Sequence, residues 1–461
     1  MNGNSLQGPH RSLESCLADA GREALSGPTG GLATHQARPS DFHTGRIRAL
    51  GCLAAVISLL FVSRPAPADL PQLILPESHL PVGSLAVVVN DKDPLSLDIG
   101  SYYQQRRKIP SQNVIHVTFE PHRDTLPPHE FSALKAQLDA RTPPHIQAYA
   151  LTWARPYRVG CMSITTAFAA GFDRRWCSQQ RCAPTRRNPL YNALTHRPFD
   201  DVHLRPTIAI AARDLAQARA LIDRGVASDG TQPPGTAYLM STSDKARNVR
   251  AGLFPRIREI FARSLKTDIV SADTLRNRDD VLFYFTGVAK VPDLESLEFR
   301  PGAIADHLTS AGGQLTDSPQ MSSLAWLEAG ATGSYGTVTE PCNLTGKFPN
   351  PALVVGYYLQ GNTLLEAYWK SVAMPGEGIF IGEPLAAPFS GYRLSEQNDA
   401  YLLETYTLVP GAYRLETAPS PVGPYRPEPY ILRAALGQTR FQLPRLERPS
   451  YRLVRLQPAP L

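Results

Sequence analysis

Five consecutive apolar residues at 85–89 (LAVVV) open a pattern in which short hydrophobic runs alternate with amphipathic segments along most of the chain. A run that is apolar at every position, and not at every second one, marks a strand covered on both faces. Asp93-Pro94 then supplies an N-cap and a first-turn proline. Leu95, Ile99, Tyr102 and Tyr103 recur on one helical face until Pro110 stops them. Residues 113–119 (NVIHVTF) form the next strand and complete a βαβ unit.

The rhythm repeats. A helical segment at 130–139 leads to a strand at 146–153, and a strand at 206–213 leads to a helix at 214–224. A strand at 236–241 precedes a long helix between 244 and 264, followed by a strand at 281–286. Helices at 321–329 and 363–372 precede strands at 333–338 and 379–381. Strands alternating with helices predict an α/β fold, a mainly parallel, helix-flanked sheet. Two regions break the pattern. Residues 157–205 carry three cysteines and several arginines with little periodicity, and read as an insertion over the strand ends of a domain spanning 82–395. From 396 to 461, short β-type runs broken by Pro and Gly predict a small β-rich, sandwich-like tail.

The amino-terminal region changes the picture of where such a domain works. Residues 46–69 read RIRALGCLAAVISLLFVSRPAPAD: two arginines, an apolar stretch of about 15 residues, then Ala66-Pro67-Ala68. This is the layout of a signal peptide (45–68) cleaved after Ala68, and the apolar stretch is short for a bilayer span. Export to the periplasm or beyond is therefore expected, with no membrane span after cleavage. Residues 1–44 show no periodic pattern and read as a disordered extension or a misassigned start, and 69–81 as a proline-rich linker.

Charge does not point to nucleic acid. The chain carries 47 Lys and Arg against 41 Asp and Glu. Residues 1–68 hold six Arg and four acids, so 41 basic and 37 acidic residues remain, a formal +4. The arginines are scattered among acids without an aromatic-interleaved basic strip.

Beyond the leader lie Cys161, Cys177, Cys182 and Cys342. Four cysteines in an exported chain permit two disulfides in three connectivities. Local spacing favours Cys177 with Cys182, leaving Cys161 with Cys342. A zinc site is the weaker alternative, because no C-x2-C pair or helical His pair is present. The motif 330–336 (GATGSYG) is no phosphate cradle. No Lys-Ser/Thr follows, and it runs into a strand, so its small residues serve close packing. Asp244, Arg247 and Arg250 read as a cap with surface ion pairs. No cofactor motif is found, and Asp93 is better used as a helix cap than as a metal ligand alongside Asp91, Asp98, Glu340 and Glu383.

Several stretches together (SLAVVVNDKDPLSLDIGSYYQQRRKIPSQNV, RPYRVGCMSI, GTAYLMSTSDKARNVR, and the segment from PGAIADHLTSAGG through GATGSYGTVTEPCNLTGKFPNP to IGEPLAAPF) resemble an uncharacterised bacterial envelope family that accompanies exosortase-type protein-sorting systems. The resemblance spans about 80–395 and implies an envelope location without a reaction. The order VLFYFTGVAKVP, strand, helix, GATGSYGTV is also similar to gingipain-like cysteine peptidases, and implies their caspase-type three-layer sandwich. That family ends one strand in Thr-Gly-His-Gly and places a cysteine after the next. Here the first stretch reads Thr286-Gly287-Val288-Ala289, and 304–308 (IADHL) offers no cysteine. The resemblance thus implies a scaffold without its catalytic pair.

Two functions follow as alternatives. One is a non-catalytic envelope protein binding a peptide, a glycan or a sorting partner, an envelope protein or polysaccharide, through the cysteine-rich insertion and the strand ends. The other is a cysteine peptidase-like or other hydrolase using His307 with Cys342 or an acidic residue, with Glu340 or Asp306 as orienter. Ligands in parallel sheets meet the carboxyl ends of the strands, so Asp91, Arg155, His307, Glu340 and Glu383 are the expected pocket residues.

Overall fold

The computed structural model describes residues 70–180 and 182–456. The signal peptide, its cleavage point and the 1–44 extension lie outside them. In the first half, strands β1 (Gln72–Ile74), β2 (Leu85–Asn90), β3 (Val114–Val117), β4 (Thr125–Leu126), β5 (Ala148–Leu151), β6 (Arg158–Val159), β7 (Met162–Ser163) and β8 (Thr207–Ala209) are interleaved with helices α1 (Pro94–Arg107), α2 (Pro128–Arg141), α3 (Ile164–Ala170) and α4 (Pro198–Val202). The α/β body continues through α5 (Leu215–Ser228), β9 (Thr236–Met240), α6 (Phe254–Ile260), β10 (Lys266–Val270), β11 (Arg278–Thr286), β12 (Leu297–His307), α7 (Leu324–Glu328), β13 (Gly333–Thr337), α8 (Pro351–Leu359), α9 (Leu364–Ser371) and β14 (Gly378–Gly382). The tail holds β15 (Tyr392–Gln397), β16 (Ala400–Thr405), β17 (Gly411–Ala418), β18 (Arg426–Ala434), β19 (Thr439–Pro444) and β20 (Ser450–Arg455).

Ten strands form one sheet in the order β10-β9-β11-β12-β13-β14-β8-β5-β2-β3. β10 to β13 pair in parallel, as do β8, β5, β2 and β3. β14 runs antiparallel to β13 from Gly333–Gly382 to Thr337–Gly378, and a single bridge at Ile381 and Ala209 joins it to β8. All six residues of β2 are buried, as the unbroken apolar run requires. The helices cover both faces. Successive residues of a strand point to opposite faces, and on β11 Phe283 meets Tyr358 of α8 while Tyr284 meets Trp326 of α7.

Capping follows the sequence closely at α1. Asp93 accepts from Leu95 N at 3.0 Å, Pro94 occupies the first turn, and Lys108 ends the helix in a left-handed conformation. The segment 244–264 departs from the expected single helix. Pro255 cannot sit in a helix interior, so the regular turn starts at Phe254. Upstream, a 3-10 turn at Asn248–Leu253 carries Arg250 inward. Arg250 is therefore no surface residue: it is buried against Asp306, with Nη2 2.6 Å from the carboxylate. Asp244 and Arg247 do pair at the surface, at 2.7 Å.

The tail is a two-sheet sandwich, β1-β20-β17-β18 facing β15-β16-β19. Tyr401, Leu403 and Thr405 alternate inward along β16 and share a core with Leu415, Leu443 and Leu453. The stretch expected to be a linker, 69–81, instead contributes β1, which pairs in parallel with β20 from Gln72–Ser450 to Ile74–Arg452. Leu73 thereby enters the tail's core.

At the end of β14, Glu383 is fully buried and forms an ion pair with Arg107, the last residue of α1. Arg107 Nε donates to Glu383 Oε1 at 3.0 Å, and its Nη1 pairs with Asp229 just beyond α5. Removing one partner of a buried pair leaves an uncompensated charge. Arg107→Met is therefore expected to lower stability in urea unfolding by about 3–5 kcal/mol, and the double variant with Glu383→Gln to recover part of the loss. A change under about 1 kcal/mol would place the pair among weakly coupled surface contacts.

Candidate functional site

Strand direction decides which candidates can meet. Tyr157, after β5, lies against Asp317 of the β12–α7 loop, and Thr339, after β13, donates to the Cys161 carbonyl at 3.5 Å. The exits of β5, β12 and β13 thus share one rim. Glu383 does not belong to it. Because β14 runs against β13, its exit lies where β13 begins: Glu383 N donates to the Thr332 carbonyl at 3.0 Å. The expectation of one rim for all five candidates is corrected by this reversal.

The other candidates are each held by a different neighbour. Asp91 is exposed and bonded to His116 Nδ1 at 2.6 Å, Arg155 pairs with Asp124, and Glu340 accepts from Cys342 N at 2.8 Å. None lines the cavity where β9 to β12 begin or the small one beside Ala211 and Leu324.

The loops of the shared rim are tied down covalently and by buried charge. Disulfides join Cys161 to Cys177 and Cys182 to Cys342. This corrects the pairing favoured by local spacing. Sequence proximity says little here because the loop after β13 returns over the insertion and brings Cys342 to Cys182. Lys347 in that loop is buried, pairs with Glu377 at 2.6 Å and donates to Ser178 Oγ at 2.6 Å. Glu377 also accepts from Ser178 N at 2.7 Å.

His307 ends β12 and is almost fully buried. Trp326 Nε1 donates to its Nδ1 at 2.9 Å, and its Nε2 lies 3.0 Å from the Met321 carbonyl. An indole N–H only donates and a carbonyl only accepts, so the ring is the neutral tautomer with its proton on Nε2. Burial takes its pKa down to about 4, with the Met321 bond opposing and the Arg250 and Arg247 charges assisting. Both nitrogens are spent, and Cys342 is in a disulfide, so the expected His307–Cys342 pair is not assembled. Asp306 is no orienter either. Adjacent strand residues face opposite ways: His307 meets Trp326 of α7, and Asp306 meets Arg250, whose guanidinium lies 5.7 Å from the Phe285 ring on the other face. Burial raises the Asp306 pKa against the pull of Arg250. Val288 packs with Tyr284, Val291 and Trp326 in an apolar cluster.

Glycines set how tightly this rim packs. A Cβ on Gly287 would strike the Arg247 carbonyl, and one on Gly336 would strike Ser323 and the backbone of Gly312 and Gly313. The small residues at 330–336 serve close approach of strand and loops, as their sequence context implies.

Among the described residues, no group of three or more His, Cys, Asp or Glu is placed to hold a metal ion, and no helix is long and apolar enough to cross a membrane. The larger cavity, about 510 Å³, opens where β9 to β12 begin, beside the tail. Its charged residues Lys266, Asp280 and Arg300 were not among the sequence candidates, because they lie toward the amino ends of their strands and ligands of parallel sheets usually meet the carboxyl ends.

No protein-family profile and no curated protein matches the chain. Two solved structures overlap it. One, described as a protease, aligns over 79% of this chain and 97% of its own at 9% identity, with a TM-score of 0.36. The other is the complex of the pro- and mature domains of RgpB from Porphyromonas gingivalis, aligned over 78% and 93% at 8% identity, with a TM-score of 0.39. Scores of this size assign neither family nor activity.

The locked imidazole makes stability depend on pH. The unfolded ring titrates near 6.5 and the folded ring near 4, so between those values the unfolded state binds the extra proton. The fold should lose stability as pH falls through 6.5, levelling off near 4, by on the order of 3 kcal/mol from this group. Urea midpoints at pH 7 and pH 4.5 should show a smaller acid-side drop for His307→Gln than for the parent. Equal drops would mean the ring is protonated in the fold.

Proposed function

We propose that this chain is an exported envelope protein, of the exosortase-associated kind its motifs resemble, whose caspase- or gingipain-like α/β body is a non-catalytic binding scaffold. Its disulfide-braced loops on the shared rim would meet a peptide, a glycan or a sorting partner. The observation that carries this reading is the state of His307 and Cys342: one has both nitrogens engaged in the core, and the other has no thiol. A general base must reach the proton it abstracts, and a thiol nucleophile must be free.

Support also comes from the rim's construction. Two cross-links and the buried Lys347–Glu377 pair hold the loops against rearrangement, which favours binding by a surface formed in advance. Disulfides of this kind suit an oxidising compartment.

Non-reducing peptide mapping of the protein beginning at Asp69 should return the pairs Cys161–Cys177 and Cys182–Cys342 and no alkylated cysteine. Peptide and ester substrates should show no turnover that His307→Gln abolishes. A rapidly alkylated Cys342, or hydrolysis lost in that variant, would favour the hydrolase instead.

A further inference from the structure

The cavity of about 510 Å³ at the leading ends of β9 to β12 is built from two kinds of wall. One is apolar: Pro233, Leu282 and an edge-to-face pair, Phe389 and Tyr406, with ring centres 5.2 Å apart. The other is charged, and its acid is already satisfied. Asp280 accepts from the hydroxyls of Thr236 and Tyr238, both at 2.6 Å, and lies 3.6 Å from Lys266 Nζ.

Arg300 has no such neighbour. Among the described residues neither a hydrogen bond nor an ion pair reaches its side chain, and its Nε is shut off from solvent without an acceptor. Gln232 is in the same position: its Nε2 is buried and unpartnered, while its backbone N donates to the Pro388 carbonyl at 2.9 Å and its φ is 49°. Donors cut off from water without acceptors are costly, and they occur where something else completes them.

With Lys266 and Asp280 offsetting each other, the lining carries one uncompensated positive charge, on a planar fork suited to a carboxylate. The volume matches that of ordinary small-molecule sites. We propose that this cavity binds a small monocarboxylate with an apolar or aromatic body, its carboxylate between Arg300 and Gln232 and its body against Phe389 and Tyr406. The site is independent of the rim assigned to partner binding, since it lies at the opposite ends of the same strands.

Calorimetric titration of the full chain with phenylacetate, phenylacetamide and inorganic phosphate tests this. Phenylacetate should bind saturably and raise the melting temperature, and the neutral amide should bind at least about tenfold more weakly. Arg300→Gln should lose about tenfold or more in phenylacetate affinity. Because the Arg300 side chain makes no hydrogen bond or ion pair in the fold and Gln keeps most of its stem, the unliganded melting temperature of this variant should stay within about 2 °C of the parent. Tyr406→Ala, which removes the aromatic wall without touching the charged one, should also weaken phenylacetate. The proposal is overturned if phenylacetate does not saturate, if Arg300→Gln binds it as well as the parent, or if phosphate binds in its place.

Discussion

A sheet covered by helices on both faces has only its two rims on which to present polar groups. The central strands leave no other place: β2, β5, β9, β13 and β14 are buried throughout. The same restriction forces any charge that enters the layers to bring a partner, because an isolated ion in such a medium is strongly disfavoured. Arg107 with Glu383, Arg250 with Asp306, and Lys347 with Glu377 are the outcome. They tie helix ends and loops to the sheet at its two rims.

That constraint also disarms the residues that look chemical. His307 and Asp306 are neighbours in sequence, but the two-residue repeat of a strand sends them into opposite layers. Each is then satisfied by what lies there, an indole and a carbonyl for one and a guanidinium for the other. Donors left open lie in the cavity beside the tail, where Arg300 Nε and Gln232 Nε2 are buried without an acceptor. The polar potential of the protein thus divides between a braced outer surface at one rim and an open cavity at the other.

How much of this could be read in the chain varied with the physics of each element. β2 and α1 were legible because an unbroken apolar run and an Asp-Pro cap are local signals. α8 was not. Its sequence, PALVVGYYL, is apolar all round and buried, so it has no amphipathic stripe to reveal it. β10 was missed because an edge strand half open to solvent carries a mixed pattern, KTDIV. The reversal of β14, the disulfide pairing and the capture of β1 by the tail are all non-local pairings, and no window of sequence encodes them. Of the site candidates, the burial of Glu383 and Arg250 depended on that topology too, and Arg300 lies where parallel-sheet precedent does not direct attention.

The protonation state of His307 tests most directly whether this ring is locked in the core. Nitrogen-15 NMR of histidine-labelled protein should show this ring as the neutral tautomer protonated on Nε2 from neutral pH down to about 5, with a second proton taken up only near pH 4. A ring that takes up a second proton near pH 6.5 in the folded protein, or carries its proton on Nδ1, would contradict it.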